Sequence, residues 1–488
     1  MLRLLLLLPI FGALVVALLP RKRPVLQWRV AFGTAVLALL LAWAQLARFD
    51  VGSPEIQFFE TYVWNPRLGS AFSLGLDGLS FPMVLLATLL TAVALLAFRV
   101  PRGSSRLYYV LLLMLESAAL GVFMARDWSL FYVFWELTLI PMFFLIERLG
   151  GALRQRAALS FVLYTMGGSV FMLVALLLLY DAAPGHSFDM VAMATGAIDL
   201  PVETQVLIFS GLFLGFAVKM GLFPLHGWLP LVYSEAPPAV PLVSSGILLK
   251  MGAYGILRAS ATLPEAVRTL QTGLVVLAFI SLLYGALLAW RSRDLIVMAA
   301  YSSVSHMAVV LLGIATLNSL GISGAAVQML GHGLAAGLMF LLLGLLSERL
   351  GSRQLADYEG LMKRCPRFAV LLMLAVAGSI GLPGTIGFVG ELHVMAGGYA
   401  RWGGSIALLS LAVVIGAAYG LRIINRLLTT ESPLATFVVA DLGRAESVAA
   451  GVLLAGMIGL GLFPAPILAL VVGSAQHLGT VFGSGGLP

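Results

Sequence analysis

The chain has 488 residues, 60% of them hydrophobic and only 10% charged, with a mean hydropathy of +1.02 and a formal net charge of +7. Soluble domains run at about 45–50% apolar and about 25% charged, which excludes a water-soluble globule, a disordered chain and a nucleic-acid-binding protein. The single cysteine, Cys365, excludes an internal disulfide framework, a cysteine-ligated iron–sulfur cluster and a multi-cysteine zinc site.

Fourteen apolar runs follow one another, near 2–20, 29–47, 77–98, 107–125, 128–147, 157–180, 204–223, 237–257, 269–290, 294–314, 320–346, 367–397, 405–427 and 447–472. Each has about the 20 residues a membrane-crossing helix needs, and they are longer and more continuous than the alternating strands of a transmembrane barrel. The expected fold is all-α: a polytopic membrane protein with 14 transmembrane helices. The positive cluster Arg21-Lys22-Arg23 follows the first run instead of preceding it, and no small-x-small cleavage site ends that run. It therefore reads as a first span with its N-terminus outside, not a cleaved signal.

The loops test this orientation. Assigning alternate loops to the cytoplasm, from Arg21–Arg29 through Arg99, Arg102 and Arg106 to Arg422, Arg426 and Arg444, places 20 of the 29 basic residues there and 7 on the other side. That bias agrees with the positive-inside rule and with both termini outside. The net charge thus reports topology, not an anionic ligand.

Two lysines belong to no loop. Lys219 and Lys250 sit inside apolar runs, as do Glu116, Glu136, Glu391 and the histidines His306 and His332. An ionised group at the bilayer centre costs about 2.5–3.5 kcal/mol on insertion scales, so such residues face protein or water and mark ion or proton paths. Plainer readings exist for each: Lys250 snorkelling to the interface, histidines that only pack, Glu116 as a static helix partner, or Glu136 and Lys219 as a structural ion pair.

Two spans are interrupted. Pro224 and Pro230 follow Lys219 in span seven, and Leu382-Pro383-Gly384 precedes Glu391 in span twelve. Proline removes an amide donor, and the carbonyls it frees in mid-membrane must be satisfied by protein or cavity water. Matching breaks in two halves point to a transporter's ion site. The expected organisation is three N-terminal spans (1–106), two five-span repeats (107–259 and 268–428) and a last span with its tail (429–488). An odd number of spans per repeat makes the two copies inverted.

The segments FYVFWELTLIPMFFLIERLGG, FAVKMGLFPLHGWLP, SEAPPA, LLKMGAYGILR, AYSSVSHM, GHGLAAGLMFLLLG and LPGTIGFVGE, with LGLDGLS before the third span, resemble the M-type antiporter-like subunit of proton-pumping NADH:quinone oxidoreductase, respiratory complex I. The resemblance covers roughly residues 70–430. WELTLIP is the segment specific to this subunit, whereas the lysine in the broken helix and the LPG…GE run are shared with multisubunit cation/proton antiporters and membrane-bound hydrogenases.

The resemblance implies roles: Glu136 modulates the pump lysine Lys219, Lys250 connects, Glu391 is the terminal acid, and His306 and His332 lie on the hydrated axis between the halves. Glu116 matches a less uniform family acid. It also implies L-type and N-type antiporter-like subunits and small membrane subunits as partners, with NADH, FMN, iron–sulfur clusters and quinone held by other subunits and no cofactor or metal in this chain. The alternatives are an Mrp-like Na⁺/H⁺ antiporter, a membrane subunit of a hydrogenase, and a passive membrane scaffold. One departure stands out. The family commonly has an acid and a histidine just after W-L-P, whereas this chain reads Leu231-Val232-Tyr233, leaving that step to Glu235 if anything supplies it. The membrane is expected to be a bacterial cytoplasmic membrane or a thylakoid.

Overall fold

The structure is a computed structural model, which describes residues 1–99, 105–182, 185–429 and 440–483; Arg102 lies outside the described residues. The chain opens with helices α1 (Leu2–Leu18) and α2 (Pro24–Leu46), then a hairpin of β1 (Gln57–Asn65) and β2 (Ser70–Leu76), then α3 (Phe81–Ala97) and α4 (Ser105–Met124). Next come α5 (Trp128–Leu137), α6 (Leu139–Leu149), α7 (Arg154–Ala182), α8 (Met190–Ala197), α9 (Val202–Met220), α10 (Leu229–Glu235), α11 (Ala239–Val243) and α12 (Leu249–Thr262). The remainder is α13 (Pro264–Arg291), α14 (Leu295–Ala315), α15 (Ser319–Leu350), α16 (Leu361–Arg364), α17 (Pro366–Ser379), α18 (Ile386–Trp402), α19 (Leu409–Thr429), α20 (Arg444–Leu462) and α21 (Ala465–Gly483).

Among the described residues, 12 helical stretches are long and apolar enough to cross a membrane, and α1, α3 and α17 are apolar but shorter. The centre is formed by α11–α12 and α15, whose apolar windows are wholly buried, while α2, α7 and α13 leave most of theirs outward. A helix apolar all round and buried all round belongs at the middle of a membrane bundle. Small residues bring the helices together: a side chain at Gly331 of α15 would meet the backbone of Gly387 on α18 at 3.0 Å. Such close approach gains dispersion contacts that lipid cannot outcompete.

Several run boundaries change. The run 128–147 divides at Thr138, because Pro141 lacks the amide that would take the carbonyl four residues back and its ring crowds that carbonyl. The run 367–397 is two helices, α17 and α18, separated by the turn at 380–385. The run 447–472, read as one span, is also two helices, with Pro464 ending α20.

Contacts sort the loops onto two ends. At one, Arg349 pairs with Glu446 (2.6 Å), Arg353 with Asp294 (3.1 Å), and Arg422 donates to the Ser292 carbonyl (3.0 Å). This is the arginine-rich end. At the other, Asn318 donates to Gly397 (2.8 Å), Arg401 to Gln271 (3.1 Å), and buried Asp77 accepts from Arg126 (3.2 Å) and Arg258 (2.5 Å). Helix α21 lies along this second end: Ser474 accepts from the Gly78 amide before α3, Gly479 abuts Ser319 at the start of α15, and Arg268 of α13 donates to the Phe482 carbonyl.

Candidate functional site

The two interrupted spans share one local chemistry. Helix α9 ends at Gly221 (φ 76°), with the Leu222 amide donating to the Ala217 carbonyl. Helix α17 ends at Gly381 (φ 70°), with the Leu382 amide donating to the Ala377 carbonyl. Both are Schellman caps, in which a left-handed glycine lets the next amide reach back five residues to an orphan carbonyl. A proline follows each, at Pro224 and Pro383. The cap delivers Lys219 to the last turn of α9, and the turn after Gly381 delivers Glu391 to the second turn of α18.

Lys219 is buried, and its Nζ donates to Thr138 Oγ1 at 2.8 Å, at the break between α5 and α6. The rings of Trp135 and Phe161 lie 5.2 and 5.7 Å from the ammonium. Glu136 stands between Trp135 and Thr138 in the chain but makes no direct ion pair with Lys219 among the described residues, and its Oε1 is buried without a partner.

Lys250 is fully buried on α12. Its Nζ donates to the Ser245 carbonyl, made available by a π-helical turn over Ser244–Leu248, and meets His332 Nδ1 at 2.5 Å. Single π turns open a helix by one residue and are frequent at functional sites. The His332 ring on α15 stands 5.5 Å, centre to centre, from that of His306 on α14. His306 Nδ1 lies 3.4 Å from Glu391 Oε1, and its Nε2 is buried without a partner among the described residues. Glu391 Oε1 also accepts from Gln328 Nε2 at 3.3 Å. A cavity of about 20 Å³ beside His306, Ser305, Glu391 and Tyr419, room for about one water, flanks the chain.

Four of the residues singled out in the sequence, Lys250, His332, His306 and Glu391, therefore stand side by side in one row, in which the two imidazoles neighbour each other without a hydrogen bond between them. Lys219 and Glu136 make a second cluster one helix away, since α9 packs on α12 through Gly252. Glu116 joins neither: it is buried on α4 with both carboxylate oxygens unpartnered among the described residues. Sequence reasoning passed over Thr138, Gln328, the π turn and His226, which is packed among Phe223, Tyr284 and Tyr301 with an unpartnered Nδ1. A signal existed for Gln328: it is a polar residue four before His332 in an apolar run, hence on the same helix face. Glu235 does not extend the line, because its Oε2 accepts from the Leu153 amide at 2.8 Å.

A family profile described as "NADH:quinone oxidoreductase/Mrp antiporter, TM" matches residues 125–417, the stretch that carries every one of these residues except Glu116. The chain belongs to this family. Over 469 residues it is 37% identical to NAD(P)H-quinone oxidoreductase chain 4 1 of Picosynechococcus sp., covering 93% of this chain and 87% of that one. It is 35% identical to NADH-quinone oxidoreductase subunit M of Rickettsia conorii over 462 residues, 93% of each. A chain of respiratory complex I from Thermus thermophilus superposes with a TM-score of 0.90 at 32% identity, covering 99% of this chain and 100% of that one. A chain of the Mrp complex from Dietzia sp. gives 0.86 at 22% identity, covering 98% and 99%, a likeness of fold. The M-type resemblance and the helical membrane architecture hold.

Proposed function

We propose that this chain is a proton-translocating membrane-arm subunit of an NADH:quinone oxidoreductase-type complex, driven by electron transfer in other subunits. The observation that carries the reading is the succession Lys250–His332–His306–Glu391 along the buried centre of the bundle, hydrogen-bonded at its first step, with the two imidazoles side by side in the middle. An imidazole takes a proton on one nitrogen and releases one from the other. A proton leaving Lys250 Nζ for His332 Nδ1 frees one from His332 Nε2, the unpartnered His306 Nε2 takes it when the two rings close the gap between them, and His306 Nδ1 delivers to Glu391.

Lys219, held by Thr138 and overlooked by Glu136, loads the line from the first repeat. Changing the charge at Glu136 changes whether a desolvated lysine keeps its proton. A change of about 1.4 kcal/mol accompanies each pKa unit, and about 2.3 kcal/mol moves one charge through about 100 mV, so one switched group is of the right size. The matched caps at Gly221 and Gly381 support an inverted repeat. Fourteen crossings follow if α17 with α18, and α5 with α6, each count once and α21 lies on the surface. The arginine-rich end is then cytoplasmic. L-type and N-type subunits are the proposed neighbours, and NADH, FMN, clusters and quinone belong to other chains of the complex.

The test is proton uptake by membrane vesicles during quinone reduction. Lys219→Ala and Glu136→Ala are expected to lower pumping roughly tenfold or more with the subunit still incorporated, and Lys219→Arg to fail likewise because a guanidinium does not release its proton. Pumping at the wild-type rate in Lys219→Ala would sink the reading.

A further inference from the structure

Beside the two imidazoles lies a group of hydroxyls that the row above does not use. Tyr419 is buried on α19, and its Oη lies 2.8 Å from Ser302 Oγ on α14. Ser302 Oγ is in turn 3.4 Å from Oγ of Ser379, the last residue of α17. Ser302 stands four residues before His306, hence on the same face of α14. Its neighbours Ser303 and Ser305 give their hydrogens to the carbonyls of Ala299 and Leu282. Among the described residues Ser302 and Ser379 make no such bond, so their hydrogens remain for each other and for Tyr419.

A small cavity opens on each side of this group. One, of about 10 Å³, is lined by His332, Ser302, Ser303, Ser379 and Tyr419 among others. The other is the cavity of about 20 Å³ beside His306 and Glu391, which Tyr419 and Ser379 also line. Each has room for about one water with several polar partners. A buried phenol costs free energy over the phenylalanine that would fill the same space, unless its hydrogen bonds recover that cost. Here the phenol stands between the two cavities, one reaching the imidazole that receives from Lys250 and the other reaching Glu391. The direct step from His332 to His306 has no hydrogen bond and waits on two rings whose centres are 5.5 Å apart. We propose that Ser302 and Tyr419, with one water in each cavity, form a second route from His332 to Glu391 that runs parallel to His306.

The step balances. His332 gives one proton to the water of the first cavity, which passes one of its own to Ser302 Oγ. Ser302 hands its hydrogen to Tyr419 Oη, and Tyr419 releases its own through the second water to the Glu391 carboxylate. Each hydroxyl and each water gives one proton and takes one, so the net products are a neutral imidazole and a neutral carboxyl group. The hydroxyls then rotate back.

This second route rests on the proton-translocation reading, and the test separates the two. The rate of proton uptake during quinone reduction is measured in membrane vesicles holding the whole complex, with subunit content checked for each variant. Rates of parallel routes add, so Tyr419→Phe, which keeps the ring, and Ser302→Ala are each expected to lose only part of the uptake. Joined together they are expected to lose no more than either alone, because both break the same route. His306→Gln is also expected to lose part. His306→Gln with Tyr419→Phe is expected to lower uptake roughly a hundredfold, far beyond the product of the two single losses. In the His306→Gln background, Ser302→Thr keeps a hydroxyl and is expected to retain more uptake than Ser302→Ala; this pair decides if the Tyr419 double variant fails to incorporate. A Tyr419→Phe loss by the same factor with and without His306 is a packing effect and overturns the second route. So does an unchanged rate for Tyr419→Phe in both backgrounds, or a His306→Gln variant that by itself abolishes uptake. Wild-type uptake in Lys219→Ala removes the underlying reading instead.

Discussion

Asp77 shows how much one buried residue can hold. Burial pushes its carboxyl up, but the guanidinium groups of Arg126 and Arg258 outweigh that and hold it well below the usual carboxylate range. Because the folded state lowers this pKa, the stabilisation is complete above the unfolded value of about 3.9 and declines only as the pH falls below it. Asp77 also caps the turn into α3 by accepting from the Leu79 and Ser80 amides at 3.1 and 2.9 Å. Asp77→Asn is expected to cost about 3–5 kcal/mol by leaving two guanidinium groups without a counter-charge, read as a lower melting temperature of the purified complex at pH 7. At this scale the sequence was most informative about the charges themselves. Lys219, Lys250 and Glu391 stand out because an apolar run makes them costly. Their partners do not stand out, since nothing in the spacing tells Lys219 that Thr138, on a helix some eighty residues earlier, is what its ammonium meets.

At the scale of elements, the breaks in α9 and α17 are written locally, in Met-Gly-Leu and Ile-Gly-Leu followed by proline, and were legible as interruptions. Their shared cap geometry was not. Gly381 couples this backbone feature to the site, because a Cβ there would lie 2.6 Å from Glu391 Oε2. Gly381→Ala therefore combines a left-handed backbone penalty of about 1–2 kcal/mol with displacement of the carboxylate from His306. Proton uptake is expected to fall further than incorporation of the subunit does, and equal losses in both would count against the coupling. The hairpin β1–β2 escaped the reading, although Phe72–Leu76 alternates and the chain turns at Asn65-Pro66-Arg67-Leu68-Gly69. Its first strand places apolar residues side by side, as in Phe58-Phe59 and Tyr62-Val63-Trp64, so no period of two marks it as a strand.

For the whole molecule, the distribution of basic residues gives a topology and the contacts give two ends, which makes orientation testable. Cys365 is buried, so single cysteines introduced at exposed Arg293 and Arg401 can be labelled against a low background. A membrane-impermeant maleimide added to sealed cells is expected to label position 401 and not position 293. The opposite pattern would invert the proposed direction of proton movement.

What the sequence determined by itself was the solvent and the inventory: a chain 60% hydrophobic must cross a bilayer repeatedly, and the few charges placed inside it must act together or be intolerably costly. Those conclusions follow from transfer free energies, which depend on composition along the chain. Only the tertiary structure decided which of those charges touch. Lys250, His332, His306 and Glu391 line up because α12, α14, α15 and α18 pack face to face through small residues, whereas Glu116, as costly by composition, has no partner among the described residues. Only packing, likewise, laid α21 across the helix ends although its hydropathy alone would let it span, because Pro464 turns the chain and the loop before α3 and the first turns of α13 and α15 supply its contacts.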